Sequence, residues 1–360
     1  MPSATMSTPL PFVSLAMPSY NEEHYIEACL RSLLEQTYPA DRMEILVADG
    51  GSQDRTREIV NRISAEDPRV RLLDNSEHRI QSYGMNLCIK ESKGEFILVT
   101  DVHAEYANNY IEALVDAFLR TGADVAGGAQ RAKAETWFQK ALCAALNSPL
   151  GVGGAPYRSP DKEGWVDTVF PGSFRRTILE KVGLYDVKAV TNEDAELQQR
   201  VLEAGGRVYL SKDVVVHYFP RKSFRLLAKQ YFKYGDGRAR TLLLRKRFPV
   251  LRPALPFLGL VAGVTMAAVP PLHFLLPPAV GGYLAATGFE AIRHGSKEGL
   301  WAIPVVWAIF PTLHFSHAIG FAQGLVKYTL NPKAPEIDTL EPRAPEADSS
   351  ATNGASRAAA

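Results

Sequence analysis

Carboxylates, imidazoles and an arginine recur in this chain where an apolar run has just ended. Pro18-Ser19-Tyr20-Asn21-Glu22-Glu23 follows Phe12–Met17, and Asp49-Gly50-Gly51-Ser52-Gln53-Asp54 follows Glu44–Ala48. A carboxylate such as Asp49 can accept the N–H of a uracil-like base, beside glycines that let a backbone approach closely. Asp101-Val102-His103 follows the run 96–100. Alternate residues of an extended segment point the same way, so Asp101 and His103 can face one cation. Oxygen and imidazole donors suit Mg2+ or Mn2+ bridging diphosphate oxygens. Asn192-Glu193-Asp194 opens a helical stretch, where paired acids serve either the helix dipole or proton abstraction. His217 follows Val214–Val216, and Gln230-Tyr231-Phe232-Lys233-Tyr234-Gly235 precedes Arg238. Each cluster also has a bland reading as a capping turn, a structural histidine or a solvated face. None decides singly.

The elements that must position these residues alternate regularly. Ile26, Cys29, Leu30, Leu33 and Leu34 follow the spacing of one helix face. Glu44–Ala48 is strand-like, and Ser52 or Asp54 can cap a following helix that turns Ile59 and Ile63 inward. Val70–Leu73 and Glu95–Thr100 read as further strands, Met85–Ile89 and 109–120 as helices, and Asp124–Gly128 as a fifth strand. Strand and helix at these intervals predict an α/β domain with a mainly parallel sheet covered on both faces. Ligands of such sheets bind outside the carboxyl ends of the strands, where three of the clusters fall. From about 130 to 250 the alternation loosens, with loops expected at Gly151–Gly154 and Ser159–Gly164.

Composition excludes several classes. Of 360 residues, 40 are Lys or Arg and 39 Asp or Glu, a net charge of +1 that argues against a nucleic-acid binder. Cys29, Cys88 and Cys143 form no C-x-x-C pair, which argues against a zinc cluster or disulfide scaffold. No G-x-G-x-x-G follows the first strand, against a dinucleotide-binding enzyme. No basic n-region precedes the first apolar run, so no secretory signal is expected. Charge is unevenly placed, since 37 residues between Arg252 and Glu290 and 28 between Glu298 and Lys327 carry none. About 20 apolar residues span a bilayer. The second stretch therefore predicts one crossing, and the first either two short crossings turned by Pro270, Pro271, Pro277 and Pro278 or a re-entrant hairpin. Basic residues flanking both stretches place the polar part in the cytoplasm. The resulting division is a loose N-terminus (1–10), a globular domain (11–223), a basic amphipathic interfacial segment (224–252), a membrane domain of about three spans (253–330) and a disordered tail (331–360) outside.

Taken in order, the clusters resemble the inverting family-2 glycosyltransferases over about residues 10–240. M-P-S-Y-N-E looks like that family's first-strand motif and A-D-G-G-S-Q-D like its D-D-G-S-x-D. G-E-F-I-L-V-T-D-V-H looks like the strand carrying D-x-D, N-E-D-A-E-L like the E-D base motif, and Q-Y-F-K-Y like a variant of Q-x-x-R-W. D-V-H-A-E-Y, Y-G-D-G-R and the C-terminal spans look most like transferases of succinoglycan-type exopolysaccharide assembly. Gly50 and His103 replace acids of the family pattern, and Lys233 and Tyr234 replace its Arg and Trp.

The resemblance implies a GT-A fold, Rossmann-like, followed by transmembrane helices. It implies that Pro18, Tyr20, Glu22, Asp49, Arg79 and Asp101 bind the nucleotide sugar, and that Asp101, His103 and His217 hold a divalent metal, Mg2+ or Mn2+. Asp194 would be the base and Glu193 its aligning neighbour, with Gln230, Lys233, Tyr234 and Arg238 on the acceptor and diphosphate side. The implied partners are a nucleotide-diphosphate sugar, UDP-glucose first, a polyprenyl-diphosphate-linked glycan acceptor and the cell membrane, with no nucleic acid. Two alternatives stay open: a polyprenyl-phosphate sugar synthase, and a non-catalytic membrane scaffold that binds nucleotide sugars.

Overall fold

The computed structural model describes residues 10–152, 161–189, 191–246 and 252–342. Its first half alternates strand and helix: β1 (Val13–Ser19), α1 (Ile26–Leu34), β2 (Met43–Asp49), α2 (Thr56–Glu66), β3 (Val70–Asp74), α3 (Gln81–Glu91), β4 (Phe96–Val99), β5 (Ala104–Tyr106) and α4 (Tyr110–Thr121). Then come β6 (Val125–Ala132), α5 (Trp137–Leu146), α6 (Pro149–Val152), β7 (Gly164–Val166), β8 (Phe170–Arg175), α7 (Arg176–Val182), α8 (Glu193–Glu203) and β9 (Val208–Tyr218). The remainder is helical: α9 (Phe224–Arg245), α10 (Leu255–Ala268), α11 (Leu276–Gly295) and α12 (Ala302–Leu330).

Apolar residues on both sides of the strands make the sheet a central layer. Val13, Leu15, Ile45, Val47, Phe96 and Leu98 face one core with α1, α2 and α4. Ala16, Leu46, Ile97 and Val99 face the other with α3, α7 and α8. Helices therefore cover both faces, as the alternation predicts.

Among the described residues the strand order is β3-β2-β1-β4-β8-β6-β9-β5, with β7 beside β9. β3, β2, β1 and β4 run parallel. Beyond β4 the sheet is mixed: β8 is antiparallel to β4 and β6, β9 is parallel to β6, and β5 and β7 are antiparallel to β9. The expectation of a mainly parallel sheet is corrected for this half. β5 and β7 have three residues each, too few to show a period. His217 lies within β9 rather than after it. α1 and α2 share one face, and α3 returns on the opposite face to place β4 on the far side of β1. Right-handed crossovers impose that change of face when strand order reverses. The reversal opens a crevice at the carboxyl ends of β1 and β4.

A third core joins Phe138 and Leu142 of α5, Leu227 of α9, Ala291 of α11 and Val306, Ile309 and Phe310 of α12. The C-terminal helices are thus packed onto the α/β domain. Of these, α12, at 29 residues, is the one helix among the described residues long and apolar enough to cross a membrane. α10 has 14 residues, about 21 Å at 1.5 Å per residue, against about 30 Å of hydrocarbon.

Residues 331–342 correct the expected tail. The Glu336 and Asp338 carbonyls accept from the Val187 and Leu184 amides at 3.0 and 2.9 Å, and Leu340 is buried in the second core. Three crossings would part this segment from the domain it lies on. Residues 343–360 of the expected tail, 1–9 of the expected loose N-terminus and 153–160 of the expected loops fall outside the described residues.

Candidate active site

Two loops at the carboxyl ends of β1 and β2 are fastened to each other. Asn21 adopts a left-handed backbone (φ 56°), which asparagine tolerates. Its amide donates to Ser52 Oγ at 2.9 Å, and its Oδ1 accepts from the Gln53 amide at 2.8 Å. The Glu22 amide donates to Thr56 Oγ1 at 2.7 Å. Asp54 caps α2 by accepting from the Thr56 amide at 3.0 Å. Asp49 is fully buried: its carboxylate accepts from the amides of Gly51 and Ser52 at 3.0 Å, from Ser52 Oγ at 2.5 Å and from Arg57 Nη1 at 3.0 Å. In this conformation Asp49 organises the turn rather than presenting a carboxylate to a ligand.

What faces outward is an aromatic platform. Tyr20 is exposed, and the Arg79 guanidinium stands 5.5 Å from its ring centre. A Cβ on Gly50 would meet Tyr20 Cβ and Arg79 Cα, both at 3.6 Å, so the three residues converge. Pro18 is the last residue but one of β1, against Gly84 of α3.

At the end of β4, Asp101 Oδ1 accepts from the His103 amide at 2.9 Å, while the Asp101 amide donates to Tyr106 Oη at 2.6 Å. His103 Nε2 lies 3.0 Å from Glu22 Oε1, and its ring packs edge-on against Tyr25 at 4.6 Å. The Glu22 carboxylate pushes the imidazole pKa up, against partial desolvation. Glu22, Asp101 and His103 thus meet across the β1/β4 crevice.

His217 pairs with Glu105 in the β5–β9 ladder. Among the described residues no three His, Cys, Asp or Glu side chains come together as a metal cage. The expected ligands Asp101, His103 and His217 are not gathered into such a cage in this conformation. A cation bridging a diphosphate takes only one or two protein donors, the rest coming from phosphate and water. Asp101 with His103 fits such a cation in donor chemistry.

Glu193 and Asp194 begin α8 after Asn192, whose φ of 61° turns the chain into the helix. Residue surfaces here are only half covered, yet protein surrounds both carboxyl groups, as in a recess. Burial raises both pKa values above the usual carboxylate range. The Asp194 charge adds to the rise at Glu193, and that of Asp101 to the rise at Asp194. Asp194, 93 residues further along the sequence, therefore lies within reach of the Asp101 charge. Beneath Asp194 lies the buried Tyr185 hydroxyl, facing the carboxylate without a well-aligned partner.

α9 supports this corner through its backbone. Thr191 Oγ1 donates to the Lys233 carbonyl at 3.1 Å, and Asn192 Nδ2 to the Tyr234 carbonyl at 3.0 Å. A Cβ on Gly237 would fall 2.5 Å from both side chains, so only glycine permits this approach. The Lys233 and Tyr234 side chains are exposed, Arg238 is half-buried, and Gln230 Nε2 donates to Tyr234 Oη at 2.9 Å. One turn on, Arg240 and Asp186 form a buried ion pair of 2.8 Å, too poorly aligned for a hydrogen bond. Sequence reasoning missed Tyr25, Arg57, Tyr185, Asp186 and Arg240. Pattern does not find them: Tyr25 meets His103 and Asp186 meets Arg240 only across the fold, while Arg57 and Tyr185 reach Asp49 and Asp194 only once a turn of chain folds back.

The pattern of glycosyl transferase family 2 matches residues 14–183. The succinoglycan biosynthesis protein ExoA of Rhizobium meliloti (strain 1021) is 37% identical over 290 residues, 80% of this chain and 82% of that protein. A dolichyl N-acetyl-alpha-D-glucosaminyl phosphate 3-beta-D-2,3-diacetamido-2,3-dideoxy-beta-D-glucuronosyltransferase of Methanococcus voltae is 26% identical over 328 residues, 88% of this chain and 98% of that one. The mannosyltransferase PcManGT from Pyrobaculum calidifontis, solved with GDP-Man and Mn2+, shares the fold with a TM-score of 0.59 at 20% identity, covering 88% of this chain and 87% of its own. With its GT-A-like mixed sheet and ExoA-like sequence, the chain belongs to glycosyl transferase family 2.

Proposed function

We propose that this chain is a membrane-associated, inverting hexosyltransferase of exopolysaccharide or glycan assembly. It moves one sugar from a UDP-linked donor to a hydroxyl of a glycan carried on a polyprenyl diphosphate. The carrying observation is that Asp101 and Asp194, from opposite sides of the crevice, lie within electrostatic reach, with Glu22 and His103 beside the first.

Tyr20 offers a face on which the base stacks, Arg79 a charge for the diphosphate, and Pro18, Glu22 and the Asp49-organised loop the walls of the nucleotide pocket. Asp101 and His103 would hold the divalent cation, which supplies charge stabilisation to the leaving diphosphate when bound. The Asp194 carboxylate takes the acceptor hydroxyl proton as that oxygen bonds to the anomeric carbon and the bond to the diphosphate breaks. A single displacement inverts the centre. Glu193 keeps the base aligned, and Lys233, Tyr234 and Arg238 lie towards the acceptor. The name of the dolichyl phosphate relative supports a lipid-linked acceptor, and that of the succinoglycan relative a role in polysaccharide assembly.

Asp194→Asn is the direct test, in membranes given a panel of nucleotide sugars and extracted lipid-linked acceptors. Transfer is expected to fall by about 10²–10⁴-fold while donor binding persists. Near-parent transfer by a folded variant would remove Asp194 from the mechanism.

A further inference from the structure

We propose that residues 252–295, with the outward face of α12, form an apolar pad that sinks into one leaflet of the bilayer and leaves it on the side it entered. The proposal deepens only the membrane part of the function above. Its test reads topology rather than sugar transfer, so the two can fail separately.

The attachment points come first. Arg245, at the end of α9, pairs with Glu196 of α8, so the chain departs from the α/β domain. It returns in α11, where Glu290 Oε2 accepts from Ser148 Oγ at 2.7 Å and Ala291 joins the core of Phe138 and Leu142. α12 starts in that same core. After α12, Asp338 pairs with Lys90 at 2.8 Å and Glu336 with Lys188 at 2.7 Å, again on the α/β domain. Both ends of the apolar region are thus on one side.

Between Arg245 and Glu290 the surface is unlike that of a soluble protein. α10 and the 3-10 turn Pro270–Leu275 have no buried residue at all. Leu255, Val264, Phe274, Val280 and Phe289 are exposed, Phe274 by 72%. No Asp, Glu, Lys or Arg interrupts residues 253–289. The Thr265 and His273 side chains bond to the pad's own backbone, as hydrocarbon requires. Thr265 Oγ1 donates to the Val261 carbonyl at 2.8 Å, and His273 Nε2 lies 2.9 Å from the Ala267 carbonyl. At the rim stand Arg293 and Lys297, exposed cations suited to anionic headgroups. An apolar floor inside a basic rim commits the pad to a lipid leaflet, rather than to a second protein.

Length decides how deep it goes. Each limb, α10 and the part of α11 before Glu290, has about 14 residues and reaches about 21 Å. That exceeds one leaflet and falls short of the roughly 30 Å hydrocarbon core. α12 is long enough to cross, but α9 lies along it. A Cβ on Gly235 would meet the His317 carbonyl at 2.1 Å, one on Gly320 the Phe232 carbonyl at 2.0 Å, and Lys327 pairs with Asp236 at 3.2 Å. A helix carrying Lys229, Lys233, Asp236 and Arg240 cannot accompany α12 through hydrocarbon.

The test uses the full chain in sealed vesicles of both orientations and a membrane-impermeant maleimide. Ser7→Cys, Phe274→Cys and Ser350→Cys are each compared with the parent, which reports the native cysteines. The expected result is labelling of the Ser7 and Ser350 variants in the same orientation, at least tenfold above the other. The Phe274 variant should label in neither until detergent is added. Ser350→Cys labelling from the opposite side to Ser7→Cys would establish an odd number of crossings and overturn the proposal. Labelling of Phe274→Cys from that opposite side would establish two crossings and overturn it equally. The unmodified chain should also float with vesicles of phosphatidylcholine and phosphatidylglycerol. If it stays at the bottom of the gradient, the pad is not a lipid surface.

Discussion

The two sides of the crevice are held together differently. On the donor side the loops after β1 and β2 secure each other. Asn21, Glu22 and Glu23 bond to Ser52, Thr56 and Asp54, about thirty residues away and on neighbouring strands. On the base side, the start of α8 depends on distant chain. The Lys233 and Tyr234 carbonyls hold Thr191 and Asn192, Arg240 sits on Asp186, and the Asp186 carboxylate also accepts from the Glu336 amide at 2.9 Å. The nucleotide pocket is therefore a property of the α/β domain. The base is positioned only once the C-terminal helices and the 331–342 segment have docked.

The largest expected effect tests that dependence. Arg240→Met leaves the Asp186 charge buried without its cation, a loss that typically costs about 3–5 kcal/mol. Thermal unfolding should shift strongly downwards, and transfer should fall at temperatures where the variant still binds donor. An unchanged melting temperature would show that the base side does not lean on α9. Next in size is Tyr20→Ala on the donor side. Base–aromatic stacking is worth about 1–3 kcal/mol by alanine substitution, so donor affinity should weaken about tenfold or more. Stability should hardly respond, since Tyr20 is exposed. Titration with UDP and a melting curve separate the two effects. A destabilised Tyr20→Ala would erase the contrast between the two sides.

The same contrast explains what the sequence made legible. The donor side is local, so an apolar run ending in Asp49-Gly50-Gly51-Ser52 or in Asp101-Val102-His103 already places a strand end and its ligand-facing turn. Glu193 and Asp194 were legible as residues but not as a raised pair, because the burial that lifts both and the Asp101 charge that adds to it at Asp194 come from the fold. The three-residue strands β5 and β7 have no period to read. The 331–342 segment, with few large apolar residues, looks like a tail, yet backbone hydrogen bonds and Leu340 lay it on the domain. Counting apolar residues suggested three crossings. Length alone could not say that α9 occupies one flank of α12 or that both ends of 252–295 return to the same side.

The smallest effect is the most informative about the base. Burial raises the carboxyl pKa values of both Glu193 and Asp194; the Asp194 charge raises Glu193 further, and the Asp101 charge adds to the rise at Asp194. The base must be ionised to accept a proton, so transfer rises with pH as the pair loses its protons, at higher pH than ordinary carboxylates would. Glu193→Gln removes one of the two carboxyls and keeps the size of the side chain. Glu193 is raised further than Asp194 and still holds its proton when Asp194 ionises, so the acid limb of the kcat–pH profile should stay where it is, while the maximal rate drops only as far as Glu193 aids alignment. A limb that moves to lower pH would mean that Glu193 is already charged while Asp194 titrates, so that burial and Asp101 do not set the base alone. If Glu193→Gln instead abolishes transfer while Asp194→Asn preserves it, the two carboxyls have exchanged roles, and the proton goes to the first residue of α8 rather than the second.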